Sequence, residues 1–166
     1  MLLDAVIAGI RRPNVSARRL VADLEAQEMV ASPIGAPAHA AWALGHLVVS
    51  CQAIGEELDL AHWLEEPFRA LFATGSHPTP DAGRYPSRDE LLDRLADGEA
   101  RVVAAVRALG AAGLARPLPD ARYRSLLPTS AHALVYASCN HAAYHVGLLA
   151  AWRKAAGFPP ASPFAP

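Results

Sequence analysis

Four stretches of this chain repeat their apolar residues at the helical period, and none alternates them as a half-buried strand does. The first runs from Leu2 to about Leu24 and sets Leu3, Val6, Ile10, Ala17, Leu20 and Leu24 near one face. Pro13 interrupts it, which predicts a kink or two shorter helices, the second capped by Asn14 or Ser16. The second stretch spans His39 to about Leu58, with Trp42, His46, Val49 and Ala53 along one stripe. The third opens on a capping box, Ser87-Arg88-Asp89-Glu90, in which the Ser and Glu side chains satisfy each other's free amides. Its buried face is Leu91, Leu95, Val102, Val106 and Leu109. The fourth runs from Thr129 or Ser130 to Ala156; Gly157 is a natural stop, and Pro159 and Pro160 prevent continuation.

Helices of this kind must bury one stripe each against one another. The expected fold is therefore all-α, a four-helix bundle, with a long crossover connection between helices 2 and 3. That connection, roughly Asp59 to Pro86, is rich in Pro, Gly and aromatic residues and predicts a helical turn around His62 to Ala70. Connections of such length are uncommon in compact domains and are often functional. Shorter Pro-containing links, Ser32 to Pro37 and Arg116 to Pro128, join the other helices. With 166 residues the chain suffices for one core and not for two, so residues 1–166 read as a single domain.

A formal net charge of -1 supplies no basic surface for a phosphate backbone, so nucleic acid is not an expected partner. Cys51 and Cys139 form neither a disulfide framework nor a CxxC pair. The opening MLLDAVIAGI lacks a basic region before its apolar run, and no window is long and apolar enough to suggest a membrane span. A cytoplasmic protein with no membrane partner is the expectation.

Helix geometry sorts the seven histidines. Residues four apart on an α-helix share a face, so His141 and His145 in NHAAYHVG point the same way. They fall within the stripe Leu134, Ser138, His141, His145, Leu148, Trp152, and His46 lies on the inward stripe of the second helix. Three imidazoles facing one interior need partners, and a transition metal satisfies all three at once. The bland alternative is a set of hydrogen-bonded core histidines. Cys139 and Cys51 lie far around their helices from His141 and His46, and His132 lies opposite His141. His39 shares the face of His46 but stands about 10 Å along the axis, a place at the pocket mouth. His62 and His77 read as solvated loop residues. The His-Ala-Ala-Tyr-His run carries no glutamate after its first histidine, which excludes a zincin protease.

The segments AAWALGHLV (40–48), FATGSHP (72–78), YPSRDELL (85–92) and NHAAYHVGLL (140–149), in this order, resemble the DinB-like superfamily, in particular its mycothiol- and bacillithiol-dependent S-transferase branch. The closing RKAAGFPP (153–160) resembles that family's usual end. The resemblance covers nearly the whole chain. It implies a four-helix bundle with a crossover, and His46, His141 and His145 as ligands of one divalent transition metal such as Zn, Ni or Fe. One departure stands out: many relatives follow the last histidine with a polar run, whereas Val146-Gly147-Leu148 follows here.

Three protein ligands leave a coordination position open, which can take water or a thiol and deprotonate it. The resemblance therefore implies a transferase that activates a low-molecular-weight thiol, of the bacillithiol or mycothiol kind, for attack on an electrophilic small-molecule substrate. A hydrolase using bound hydroxide and a metal- or ligand-binding protein without turnover are the other classes in play. His39, Trp42, Ser50, Asn140 and Tyr144 are the candidates for supporting the ligands or lining the pocket. The relatives also imply a homodimer, a role open to the apolar third helix.

Overall fold

The computed structural model describes residues 2–161, and among them helices are the regular structure, with no strand. Helix α1 (Leu2–Val21) buries Ile7, Ile10, Ala17, Leu20 and Val21 and runs unbroken through Pro13. The helix does not divide into two at Pro13. The proline ring is buried, so its packing offsets the one backbone hydrogen bond it removes. Asn14 is accordingly not a cap; its amide donates to Glu99 at 2.8 Å. The free carbonyls at the end of α1 are met by arginines: Arg88 donates to Ala22 and Leu24, and Arg153 to Leu20.

Helix α2 (Ala40–Glu57) is nearly all apolar and buries most of its length. Its N-cap is His39, whose Nδ1 accepts from the Trp42 amide at 3.2 Å. The connection that follows holds α3 (Glu66–Phe72), which carries Pro67 in its first turn and buries Phe68 and Phe72. It is fastened to α2 by Gln52, a buried side chain whose carbonyl accepts from the amides of Trp63 and Leu64. Helix α4 (Arg88–Leu114) is capped by Ser87, which accepts from the Glu90 amide at 3.1 Å. Only that half of the capping box forms, because the Glu90 carboxylate pairs with Arg94 one turn on. Gly110, at φ 59°, breaks the helical path near the end of α4, a conformation that costs glycine little.

The last helical run is not a plain α-helix. It begins as α5 (Ser130–Val135), with Thr129 as N-cap, widens into one π turn (Tyr136–His141) and continues as α6 (Ala142–Ala155). Such turns insert a residue into the helical count and often mark functional sites. The buried stripe shifts with it: after His145 the core positions are Val146, Leu149, Trp152 and Arg153 rather than Leu148. Gly157 ends the run as expected, at φ 80°.

The long helices meet in pairs, α2 on α4, α4 on α1, α1 on α6 and α6 on α2, and enclose one apolar core. Among the described residues, no helix is long and apolar enough to cross a membrane.

Candidate metal centre

Three ring nitrogens converge where α2 meets the last helical run. His46 Nε2 lies 3.3 Å from His141 Nε2, which lies 3.2 Å from His145 Nε2. Among the described residues these three form the one histidine, cysteine or carboxylate cluster whose donor atoms all lie within 4.8 Å of one another. His46 and His145 are buried and His141 half-buried.

The position of His46 is set by the long connection. Its Nδ1–H donates to the Phe72 carbonyl at 2.8 Å, which leaves a lone pair on Nε2. Phe72 reaches α2 because residue 45 is glycine: a Cβ there would stand 2.2 Å from the Phe72 ring. On its other side His46 is stacked by Trp42, with ring centroids 4.8 Å apart and planes 8° from parallel. The Trp42 indole N–H donates to Ser76 Oγ at 2.8 Å, and Ser76 donates on to the Leu71 carbonyl. The Trp-x-x-x-His element thus works as one rigid unit with the segment 71–76.

A neutral imidazole carries one N–H. His141 Nε2 faces two other ring nitrogens, so at most one of those contacts takes a proton from His141. Since Nε2 of His46 is unprotonated, the cluster cannot satisfy itself well and suits a shared cation. The spacing agrees. Two nitrogens each about 2.0–2.1 Å from a tetrahedral ion stand about 3.3–3.4 Å apart. The electrostatics agree too. Burial pushes all three imidazoles below their ordinary range, opposed at His46 by the bond to Phe72. The charges of the neighbouring histidines add to the effect at His141 and His145, and His145 falls to about 4. At neutral pH all three are free bases, the form that binds metals.

The supporting candidates separate. Trp42 is the stacking partner just described. Asn140 and Tyr144 are exposed and line a polar cavity over the histidines, with the Tyr144 ring edge-on to His145 at 5.2 Å. Ser50 lines a different, apolar cavity, but its hydroxyl is spent on the His46 backbone carbonyl at 2.8 Å. His39 does not reach the pocket mouth. It is buried, donates from Nε2 to the Thr79 carbonyl at 2.9 Å and packs on Tyr85, because its cap role turns it into the core. Trp152 is core, and its indole N–H donates to the Ala31 carbonyl, away from the centre.

Cys139 departs from its expected place. It is exposed and lines the polar cavity with His141 and His145, while Cys51 lies in the core. The expected separation was drawn for a regular α-helix, and Cys139 sits inside the π turn. Helical period also left Thr74 and Tyr136 unmarked, yet both line the polar and the apolar cavity together with His46 and His141.

An all-helical chain with three converging neutral imidazoles between packed helices is a candidate metal protein of the helical-bundle kind. More specifically, the chain belongs to the DinB superfamily, whose family model matches residues 15–149. Searches of curated proteins and of solved structures returned no match.

Proposed function

We propose that this protein is a metal-dependent transferase that activates a low-molecular-weight thiol for attack on an electrophilic small molecule. The observation that carries the reading is the junction of two unlike cavities at the histidines. One, of about 650 Å³, is lined by Trp42, Gly75, Asn140 and Tyr144 and suits a polar, sugar-bearing thiol of the bacillithiol or mycothiol kind. The other, of about 480 Å³, is walled by Val49, Ile54, Leu58, Leu127 and Leu134 and suits an apolar co-substrate. His46, His141, Thr74 and Tyr136 belong to both.

His46, His141 and His145 would hold the cation, which when bound acidifies a coordinated thiol or water. Phe72 and Trp42 fix the tautomer and plane of His46, and the apolar wall excludes water from the reacting carbon. Sulfur bonds to that carbon as the bond from carbon to the leaving group breaks; the leaving group departs with that electron pair, as chloride does from monochlorobimane, and the thiol proton goes to solvent or to the departing group. A hydrolase fits less well: Glu57 is the one carboxylate lining either cavity, and it stands eleven residues along α2 from His46, about 16 Å by helix rise. The reading includes a four-helix bundle with its crossover over residues 58–87, a cytoplasmic setting, and assembly as a homodimer.

The test is adduct formation by tag-free protein reconstituted with zinc, nickel or iron, using bacillithiol or mycothiol and monochlorobimane. Adduct that needs both metal and thiol, and is lost in His46→Ala, supports the reading. Turnover without thiol moves it to a hydrolase. Bound metal without turnover on any electrophile leaves a binding protein.

A further inference from the structure

The apolar cavity is a slot along α2 rather than a bowl. Its lining runs from His46 through Val49, Ala53 and Ile54 to Glu57, and that stretch of helix spans about 16 Å. Its volume of about 480 Å³ suits a small molecule that reaches from one end to the other. Aliphatic side chains such as Val49, Ile54, Leu58 and Leu134 make much of the wall, and Tyr123 and Tyr136 add two aromatic rings. The imidazoles of His46 and His141 stand at one end and the Glu57 carboxylate at the other, and Ser50, Thr74, Tyr123, Tyr136 and Ser130 also line it.

The far end is acidic in character. Glu57 is half-buried, and the contact to its carboxylate is a long one, from the Asp120 amide at 3.5 Å. The arginines nearby each have a closer partner, although Arg122 also feels the Glu57 charge. Arg116 pairs with Asp59 and donates to the Glu57 backbone carbonyl and to Ser130. Arg122 is held by both oxygens of Asp120, and Arg124 by the carbonyls of Leu118 and Pro119. None of the three lines the slot.

We propose that the slot selects an electrophile with an apolar body whose far end carries a protonated amine, seated against Glu57 while the reacting carbon lies at the histidines. This rests on the transferase reading only for what happens at the metal end; occupancy of the slot does not depend on it. An end carboxylate is disfavoured there by Glu57.

Decylamine, decanol and decanoate probe the slot without any reaction, by calorimetric titration of the metal-loaded full chain. Attraction of the amine and repulsion of the carboxylate at a half-buried site together predict about tenfold tighter binding of decylamine than of decanoate. Decanol falls between. Glu57→Gln, nearly the same shape, is expected to erase the ranking while keeping the chain's affinity. Ala53→Phe, which fills the slot from an exposed position on α2, is expected to abolish binding of all three. Equal binding of the three probes, or a ranking that survives Glu57→Gln, overturns the proposal, as does binding untouched by Ala53→Phe in a protein with a wild-type melting curve. Repeating the titrations with His46→Ala separates the two readings. In that variant the ranking is expected to persist while transfer is lost; the ranking in metal-loaded wild-type protein that transfers no thiol sinks the transferase alone, and thiol transfer that ignores the substrate's end group sinks the slot alone.

Discussion

Replacing Gly45 by alanine presses on the contact through which the long connection sets the metal centre. The added Cβ would stand 2.2 Å from two atoms of the Phe72 ring and 2.4 Å from a third, against about 3.5–4.0 Å for an ordinary carbon contact. The ring has no free direction to yield, being fully buried with Phe68 at 4.8 Å and Tyr85 at 5.9 Å. Overpacking of this kind costs about 1–3 kcal/mol, and a displacement above 1 Å argues for the upper end. Alanine returns about 1 kcal/mol of helix propensity, leaving a net loss of about 2 kcal/mol. For a chain of this size that is a drop of about 4–8 °C in Tm. Moving Phe72 also moves the carbonyl that accepts from His46, so metal affinity should fall by about ten- to a hundredfold. Urea denaturation followed by circular dichroism reads the first effect, and competition with a chelating dye the second. In a Phe72→Ala background the clash is gone, and Gly45→Ala should become neutral or stabilising by up to about 1 kcal/mol. If Gly45→Ala were as stable as wild type and bound metal as tightly, the coupling of residues 45, 72 and 46 would be refuted.

Single alanine substitutions at His141 or His145 are expected to take metal content from about one equivalent to near none, read by elemental analysis of tag-free protein. Unchanged content in either removes that residue from the centre. Burial, and secondarily the charge of Glu99, pushes the Cys51 thiol up to about 12, so a disulfide reagent should titrate only Cys139 in the folded protein and both cysteines in urea. Two fast-reacting thiols without denaturant would contradict the packing of Cys51. The Asp23 carboxyl is held below its ordinary range by the hydrogen bonds from Arg153, so the folded state binds its proton less readily than the unfolded one. Its stabilisation is therefore full above the ordinary carboxylate range and is lost as pH falls through the lowered value. Asp23→Asn should lower the urea midpoint at neutral pH, with the gap closing as pH falls through the lowered value. A gap that persists in acid would assign the loss to packing.

What the chain's pattern made legible was whatever repeats along a helix or sits at its end. The apolar stripes marked each long helix, and Ser87, Thr129 and Gly157 marked termini that formed there. His46 and His141 were legible as inward-facing for the same reason. Tertiary effects stayed hidden. Pro13 predicts a break from its own covalent structure, but its burial against neighbouring helices is not written locally. The π turn has no periodic signature, so Cys139 was set apart from a cavity it lines, and Leu148 was given a place that Leu149 takes. The bond from His46 goes to a backbone carbonyl, and any residue at position 72 has one. Only the small size of Gly45 hinted that something must lie against α2 there.

The ligand set also links the centre to the stability of the fold. One histidine comes from α2 and two from the run spanning the π turn and α6, so a shared cation would tie together helices that otherwise meet through apolar contacts. A ligand that binds only the folded chain stabilises it by about 4 kcal/mol at a thousand times its Kd. The clustered lone pairs that suit a cation are, without one, a local cost of the fold, so removing metal should loosen the interface between α2 and α6 before the α1–α4 side. The lowered proton affinity of the three imidazoles sharpens the functional reading as well. They are free bases at neutral pH and take up a cation with little proton release. A proton released when thiol is then added comes from the thiol itself. Proton counting in two buffers of different ionisation enthalpy therefore separates thiol ionisation at the centre from mere occupancy of the polar cavity, which releases none.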